Sequence, residues 1–314
     1  MSTELTHVSP VQSPGWLAAL RTHAHKHSLA AMGLGIGLLA VIALLAQSLY
    51  LMLTGTAPAG LRYAMIGGAA GFAATALGAL PALALRDIPQ RLEDSLLGFA
   101  AGMMLAASAF SLLLPGLAAG AEILGGKPLG AGVVVLGMAL GVLLMLGLDE
   151  FTPHEHDKTG PCGPGHERCG RVWLFVFAIA LHNLPEGMAI GVGFSQADME
   201  VGLPLTIAIA LQDIPEGLAV ALALRGAGFA PGTAVLVAAL SGLLEPLGAL
   251  LGVGLASGLA VAYPIGLGLA AGAMIFVVSH EVIPETHRNG HQTPATLGLM
   301  AGFALMMVLD TTLG

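Results

Sequence analysis

Nine long apolar stretches, separated by short polar connections, dominate the hydrophobic pattern of the chain. Each is close to the roughly 20 residues that a helix needs to cross the hydrocarbon core of a bilayer. A lipid-exposed segment must satisfy its own backbone hydrogen bonds, and barrel strands would be shorter and would alternate, so we predict nine helices. The predicted spans are 29–53, 61–85, 95–119, 130–149, 172–194, 203–224, 232–258, 262–284 and 294–313.

The composition also indicates an all-α integral membrane protein. Of the 314 residues, 56% are hydrophobic and only 10% are charged, and the mean hydropathy is +0.85. Soluble domains carry about 25% charged residues, so a water-facing surface is excluded for most of this chain. The 45 glycines suit helices that pack closely in a bilayer. The net charge of −8 gives no indication of nucleic-acid binding.

Lysine and arginine are distributed unevenly between the two sets of connections. Of the 11 basic residues, only Arg62 and Lys127 fall on one side of a nine-span arrangement. Because cytoplasmic connections carry an excess of basic residues, we predict a cytoplasmic segment 1–28 and a cytoplasmic loop 150–171. The C-terminus of this multi-pass membrane protein is then predicted to lie outside. Span 29–53 is longer than a signal-peptide core, so we interpret it as a retained helix.

Two internal repeats are visible. The short one is His-Asn-Leu-Pro-Glu-Gly at 182–187 and Gln-Asp-Ile-Pro-Glu-Gly at 212–217, in consecutive and therefore antiparallel spans. The longer one relates 77–80 to 247–250 and 100–104 to 270–274, both with an offset of 170. An inverted repeat is a known transporter architecture, with the site where the copies meet. Chance similarity among helices rich in Gly, Ala and Leu is the alternative.

Polar residues inside the spans are concentrated in the fifth, sixth and seventh. They are His182, Asn183, Glu186, Gln212, Asp213, Glu216 and Glu245. A charge at the bilayer centre costs roughly 2.5–3.5 kcal/mol on insertion scales, and no lysine or arginine lies at these depths to neutralise the acids. The partners must therefore be protons or bound cations.

The spacing of these residues favours cations. His182 and Glu186 are four residues apart and therefore share a helix face, and Gln212 and Glu216 repeat the arrangement. Imidazole with carboxylate and amide oxygens suits a borderline divalent ion such as zinc, whereas calcium prefers oxygen ligands alone. The alternative is that the two Pro-Glu-Gly segments only bend their helices and that the acids are protonated.

These paired motifs resemble the signatures of the ZIP (Zrt-/Irt-like protein) metal transporters, and the likeness covers roughly residues 60–314. The resemblance implies an eight-helix core with a 3+2+3 inverted repeat, here residues 61–314, plus one additional N-terminal transmembrane helix at 29–53. It also implies a homodimer in the bacterial inner membrane, with a periplasmic C-terminus, and elevator-type alternating access toward the cytoplasm. Zinc is the expected cargo, with cadmium, iron and manganese as further candidates, and no resident cofactor is expected.

The resemblance further implies a binuclear metal centre. One ion would be held by Met104, His182, Glu186, Gln212, Asp213 and Glu216. The second would be held by Asn183, Glu186, Asp213, Glu216 and Glu245. Met104 comes from the resemblance alone, since a methionine in a helix more often fills a core. Asp149, His280 and Glu281 match an inner exit site, with ordinary interfacial polar residues as the alternative.

Other potential metal-binding residues lie in the connections. The loop 150–171 and the N-terminal segment contain His154, His156, Cys162, His166 and Cys169, and His23, His25 and His27. Their spacing matches no standard zinc site, so we expect solvated segments that bind metal only weakly. Asp310, at the outer end of the last span, would attract cations or serve as a plain interfacial acid.

Two other functions compete with metal transport. An intramembrane zinc hydrolase would need an open water position and a general base, but the chain has no His-Glu-x-x-His motif. A proton-coupled carrier of an organic solute would need a buried basic or aromatic cradle, and the spans show none. We therefore predict a transporter rather than an enzyme.

Overall fold

The computed structural model describes residues 21, 24–26, 28–151, 154–156, 160–162, 171–256 and 259–313. Within this part of the chain, seven helical segments are long and apolar enough to cross a membrane. The helices Ser28–Leu53 and Arg171–Gly193, with 26 and 23 residues, also reach the length of about 20 that a span needs. Each predicted span coincides with helix to within a few residues, which confirms the prediction of a helical multi-pass membrane protein.

The helices are numbered here in chain order. The first half contains α1 Ser28–Leu53, α2 Ala59–Ala79, α3 Gln90–Ala107, α4 Leu114–Leu124 and α5 Lys127–Phe151. The second half contains α6 Arg171–Gly193, α7 Met199–Gly226, α8 Pro231–Ser241, α9 Leu244–Ala256, α10 Ala262–Val277, α11 Ile283–His287 and α12 Gln292–Leu313. Between α5 and α6, the strands β1 His154–His156 and β2 Gly160–Cys162 pair antiparallel, a small departure from the all-helical prediction.

Two of the predicted spans contain a π-helical segment. Ser108–Leu113 joins α3 to α4, and Val278–Val282 joins α10 to α11. Each segment is followed by a proline, Pro115 or Pro284, at the start of the next helix. Because proline has no N–H, the regular hydrogen-bond pattern cannot run through these positions. The segments begin 170 residues apart, at the offset of the longer repeat.

The predicted seventh span is two helices rather than one. Helix α8 ends at Ser241 and α9 begins at Leu244, which places Glu245 in the first turn of α9. Proline is tolerated there because the first N–H groups of a helix have no intrahelical partner, and Pro246 follows at once. The same free N–H groups favour an acidic side chain at a helix start. The break therefore places Glu245 at the N-terminus of a helix inside the bundle.

Glycines bring α3 against α12 and α10 against α5. A Cβ atom on Gly98, Gly102, Gly268 or Gly272 would overlap the backbone of the facing helix. The facing positions are, in the same order, Ala295, Leu299, Val134 and Met138. Each glycine of α10 lies 170 residues after its counterpart in α3. The absence of a side chain allows these helix pairs to approach closely.

The helices that carry the polar motifs are packed in the same manner. A Cβ atom on Gly78 or Gly217 would overlap the backbone between α2 and α7, and one on Gly187 or Gly248 would overlap it between α6 and α9. A Cβ atom on Gly68 of α2 would lie 2.8 Å from Cα of Pro246 in α9. These contacts join α2, α6, α7 and α9 into one group, which we call the motif group.

The outer surface of the bundle is apolar. Large hydrophobic side chains are exposed along several helices, among them Leu29, Ile66, Leu143 and Leu297. Soluble monomers rarely expose extended apolar patches, whereas a bilayer accounts for such a surface directly. Polar side chains are instead buried between α6, α7 and α9.

Candidate metal centre

All seven polar residues predicted on the fifth to seventh spans are buried. None is more than 3% exposed, although they are among the most polar side chains of the chain. His182, Asn183 and Glu186 lie midway along α6, and their counterparts Gln212, Asp213 and Glu216 lie midway along α7. The i, i+3 and i, i+4 spacing directs each set to one helix face.

Three of the acids converge on one small volume. One carboxylate oxygen from each of Glu186, Asp213 and Glu216 lies within 4.8 Å of the other two. The amide nitrogen Nε2 of Gln212 donates a hydrogen bond of 2.5 Å to Oε1 of Glu186, which connects α7 to α6. Zinc takes oxygen ligands at about 2.0–2.2 Å, so a cluster of this size fits a small divalent ion after minor rotation of the side chains.

Glu245 adds a fourth carboxylate from α9. Its Oε1 accepts a hydrogen bond of 2.8 Å from the hydroxyl of Thr75 in α2. A Cβ atom built on Gly71 would overlap Oε2 of Glu245 and would lie 3.2 Å from Oδ2 of Asp213, so both oxygens face the backbone of α2 at this glycine. Helix α2 thus forms a wall of the cluster, although the sequence had indicated no functional residue on it.

Thr75 and Gly71 are the residues that sequence reasoning missed. A signal for Thr75 was nevertheless available, because Thr75 lies 170 residues before Glu245, at the offset of the longer repeat. Gly71 offered no comparable signal. A glycine one helical turn before a threonine is unremarkable in a chain with 45 glycines.

Many polar atoms of the cluster lack a partner. Several buried atoms have no hydrogen-bond partner among the described residues. They are both ring nitrogens of His182, Oε2 of Glu186, Oε1 of Gln212, both carboxylate oxygens of Asp213, both of Glu216, and Oε2 of Glu245. Each such buried atom costs about 1–3 kcal/mol when it is left unpaired. Most are acceptors, so the arrangement requires protons or a cation, and the donor set fits zinc.

Met104 also has a fully buried side chain. It packs in the apolar core with α2, α6, α7 and α10 residues, and its carbonyl accepts a hydrogen bond of 2.8 Å from Ser108. Its thioether as a metal ligand stays a prediction.

The predicted exit residues form a second cluster at the end of α5 and in the π-helical segment after α10. Ligand atoms of Asp149, His280 and Glu281 all lie within 4.8 Å of one another, and Nε2 of His280 is 4.0 Å from Oδ2 of Asp149. The ring of His280 stacks at 4.9 Å on that of Phe276. The sequence had placed these three residues together only through the resemblance.

A small cleft lies between the two clusters. Its volume of about 10 Å³ has room for about one water molecule, and His182 of the buried cluster and Asp149 and Glu281 of the second cluster line it. Leu181, Met145, Phe276 and Val277 complete its wall. At the other end of the bundle, Asp310 accepts a hydrogen bond of 2.6 Å from the hydroxyl of Ser111 in the first π-helical segment.

The predicted metal-binding residues of the connections are described in part. His23, His27, His166 and Cys169 lie outside the described residues. For His154, His156 and Cys162 the structure describes the backbone of the hairpin alone. The expectation of weak metal binding by these segments therefore stays a prediction.

Comparison with known proteins supports the same interpretation. The family model described as ZIP zinc transporter matches residues 152–310. The chain is 66% identical to the zinc transporter ZIPB of Bordetella bronchiseptica over 296 residues, which cover 94% of this chain and 96% of that protein. The chain belongs to the ZIP zinc transporter family. The resemblance seen in the paired motifs is thereby confirmed.

More distant ZIP proteins agree. The zinc transporter GufA of Myxococcus xanthus is 42% identical over 245 residues, covering 77% of this chain and 95% of GufA. The human zinc transporter ZIP11 is 32% identical, covering 76% of this chain and 94% of that protein. These ZIP relatives are named as transporters, so the prediction that the chain is not an enzyme is confirmed and the hydrolase interpretation is set aside.

Proposed function

We propose that this ZIP-family protein transports divalent metal ions, with zinc as the principal cargo, through the cluster between α6, α7 and α9. The observation that carries the proposal is the convergence of Glu186, Asp213 and Glu216 to within 4.8 Å inside an apolar bundle. No lysine or arginine is among the buried polar side chains in the described part of the chain. The relatives named as zinc transporters favour zinc. Cadmium, iron and manganese, which accept similar ligands, are further candidate cargoes.

We propose a binuclear centre with the ligand sets expected from the resemblance. The first ion is bound by Met104, His182, Glu186, Gln212, Asp213 and Glu216, and the second by Asn183, Glu186, Asp213, Glu216 and Glu245. Support comes from the number of unpaired oxygens, which exceeds what one four-coordinate zinc ion uses. Bridging carboxylates would use both of their oxygens and so remove the repulsion between neighbouring acids.

The path of the ion continues from this centre to Asp149, His280 and Glu281. The cleft shared by His182, Asp149 and Glu281 supports this order. We therefore propose movement toward the cytoplasm, with the second cluster as the exit site. Asp310 and Ser111, at the opposite end, are suited to meet the incoming ion.

Alternating access is proposed to be of the elevator type, in a 3+2+3 inverted arrangement of the eight helical spans after α1. Two observations support this. The glycine contacts and the π-helical segments recur with an offset of 170, and the motif group of α2, α6, α7 and α9 is held together by backbone contacts at glycines. All proposed ligands except Met104 lie on the motif group, which could move as one body against α3, α5, α10 and α12.

The resemblance to ZIP transporters also supports a homodimer in the bacterial inner membrane, with the N-terminus cytoplasmic and the C-terminus periplasmic. The orientation can be tested with the native cysteines. A membrane-impermeant thiol reagent outside intact cells should leave Cys162 and Cys169 unmodified. Labelling from outside would contradict the orientation.

Transport itself is tested with purified protein in liposomes. Uptake of zinc, cadmium, iron and manganese should be measured with and without an imposed pH gradient, against protein-free liposomes. Zinc uptake above the protein-free rate is expected. Its absence, with protein that is folded and correctly inserted, would overturn the proposal.

A further inference from the structure

Thr75 connects α2 directly to the proposed metal centre. Its side chain is buried, and its hydroxyl lies 2.8 Å from Oε1 of Glu245 and 3.3 Å from the carbonyl of Gly71 in its own helix. A threonine hydroxyl carries one proton and donates it to one acceptor at a time. The shorter distance identifies Glu245 as the principal acceptor.

This hydrogen bond distinguishes the two oxygens of Glu245. Oε1 is held by Thr75, whereas Oε2 has no hydrogen-bond partner among the described residues and lies against Gly71 beside Oδ2 of Asp213. The two oxygens are chemically equivalent, so what the bond to the hydroxyl fixes is the orientation of the carboxylate plane. Thr75 therefore keeps one oxygen of Glu245 occupied and the other free to face Asp213.

Thr75 is itself held in place by its neighbours. A Cβ atom on Gly217 of α7 would overlap the carbonyl of Thr75, and one on Gly242, in the break between α8 and α9, would lie 3.0 Å from its Cβ. The backbone of Thr75 thus lies against Gly217 and its side chain against Gly242, and a side chain at either position would displace the residue. A confined hydroxyl positions an acid better than a mobile one, because less rotational freedom is lost when the bond forms.

We propose that Thr75 is a positioning residue, which orients Glu245 toward the second metal ion, and that Gly71 keeps open the space beside the coordinating oxygen. This inference rests on the proposed binuclear centre. Residues that orient a metal ligand through a hydrogen bond typically change metal affinity by about 10–100-fold when they are replaced. We expect a change of this size for the second ion and none for the first, because Glu245 belongs to the second ligand set alone.

The test compares two replacements that separate the hydroxyl from the shape of the side chain. Thr75→Val keeps the branched shape and loses the hydroxyl, whereas Thr75→Ser keeps the hydroxyl and loses a methyl group. Thr206→Val is the matched control, since Thr206 is also buried but donates to the Gly202 carbonyl of its own helix, at 2.7 Å. Gly71→Ala provides a second, independent change, because its methyl group would overlap Oε2 of Glu245.

Zinc binding should be measured by titration and by metal content per protomer, on detergent-purified protein that is monodisperse and melts cooperatively. Thr75→Val should lower the affinity for the second zinc ion about 10–100-fold and leave the affinity for the first within about threefold of wild type. Thr75→Ser and Thr206→Val should both match wild type, and Gly71→Ala should lose the second ion.

Three results would overturn the inference. The first is wild-type binding of both ions by Thr75→Val. The second is a loss of binding in Thr75→Ser as large as that in Thr75→Val, and the third is an equal loss of both ions in Thr75→Val. Equal damage from the serine variant would point to packing as the role of Thr75. Failure of the proposed function is separately recognisable, because wild-type protein would then bind no zinc or move none into liposomes. Wild-type binding of one ion per protomer would refute the second ion and this inference together.

Discussion

Glu186 is the acid whose replacement should damage transport most. Its side chain is fully buried, its Oε1 accepts the hydrogen bond from Gln212, and its Oε2 is unpaired among the described residues. Glu186→Gln keeps the shape of the side chain, removes its charge and turns one oxygen into an NH₂ group that can only donate. The variant therefore loses a metal ligand while filling the same volume.

The size of the effect follows from the charge of the lost contact. A hydrogen bond to a charged group contributes about 1.5–3 kcal/mol, and a bond from a carboxylate to a divalent ion should contribute at least as much. Since 1.4 kcal/mol is a factor of ten, zinc affinity should fall by at least about 10- to 100-fold. If Glu186 bridges two ions, Glu186→Gln lowers the affinity for both, and Glu216→Gln should have the same effect. Glu245→Gln should be milder, because Glu245 serves only one ion.

The assay measures zinc content per protomer and zinc uptake into proteoliposomes for each variant. Glu200→Gln is the matched control, because Glu200 is an exposed acid at the start of α7, outside the cluster, and its replacement should change neither quantity. If Glu186→Gln keeps full metal content and wild-type uptake while Glu245→Gln is inactive, the bridging role of Glu186 is wrong.

Three further outcomes are expected. Zinc affinity in detergent should fall as the pH is lowered from about 7 to about 5, because protons compete with the metal for imidazole and carboxylates; a flat titration would argue against His182 as a ligand. His280→Ala should slow uptake but leave equilibrium binding at the buried cluster intact, and equal loss of both would place His280 in the main site. Gly102→Ala should cost about 1–3 kcal/mol, seen as a lower melting temperature in detergent, because its Cβ overlaps Leu299. Gly132→Ala, with open space around it, should melt as wild type does, and equal melting of the two variants would contradict the packing argument.

Asp94 illustrates a position that the hydrophobic pattern could not assign. The pattern began the third span at residue 95 and so left Asp94 in a connection, but the structure buries it in α3. Nδ1 of His291 lies 2.8 Å from one of its oxygens, and the amide of Asn289 donates to the other at 3.2 Å. These partners lie nearly 200 residues away in the turn before α12. No local pattern around Asp94 indicates that this turn would cover it.

The sequence by itself determined the helical spans and the polar residues of the buried cluster. A bilayer requires about 20 apolar residues that satisfy their own backbone, and this requirement can be recognised locally. The spacing of His182, Asn183 and Glu186 is also local, because helix geometry places residues three and four apart on one face. The offset of 170 further indicated which helices correspond to each other.

Only the tertiary structure decided how these helices meet. The break before Glu245, the contact of Thr75 with its carboxylate and the cleft from His182 to Asp149 all depend on the rotation and depth of one helix relative to another. Those quantities follow from many small contacts between distant residues, such as Gly217 against Thr75. In the bilayer, close packing rather than a hydrophobic drive selects the arrangement, and packing depends on the facing surface as much as on the helix itself.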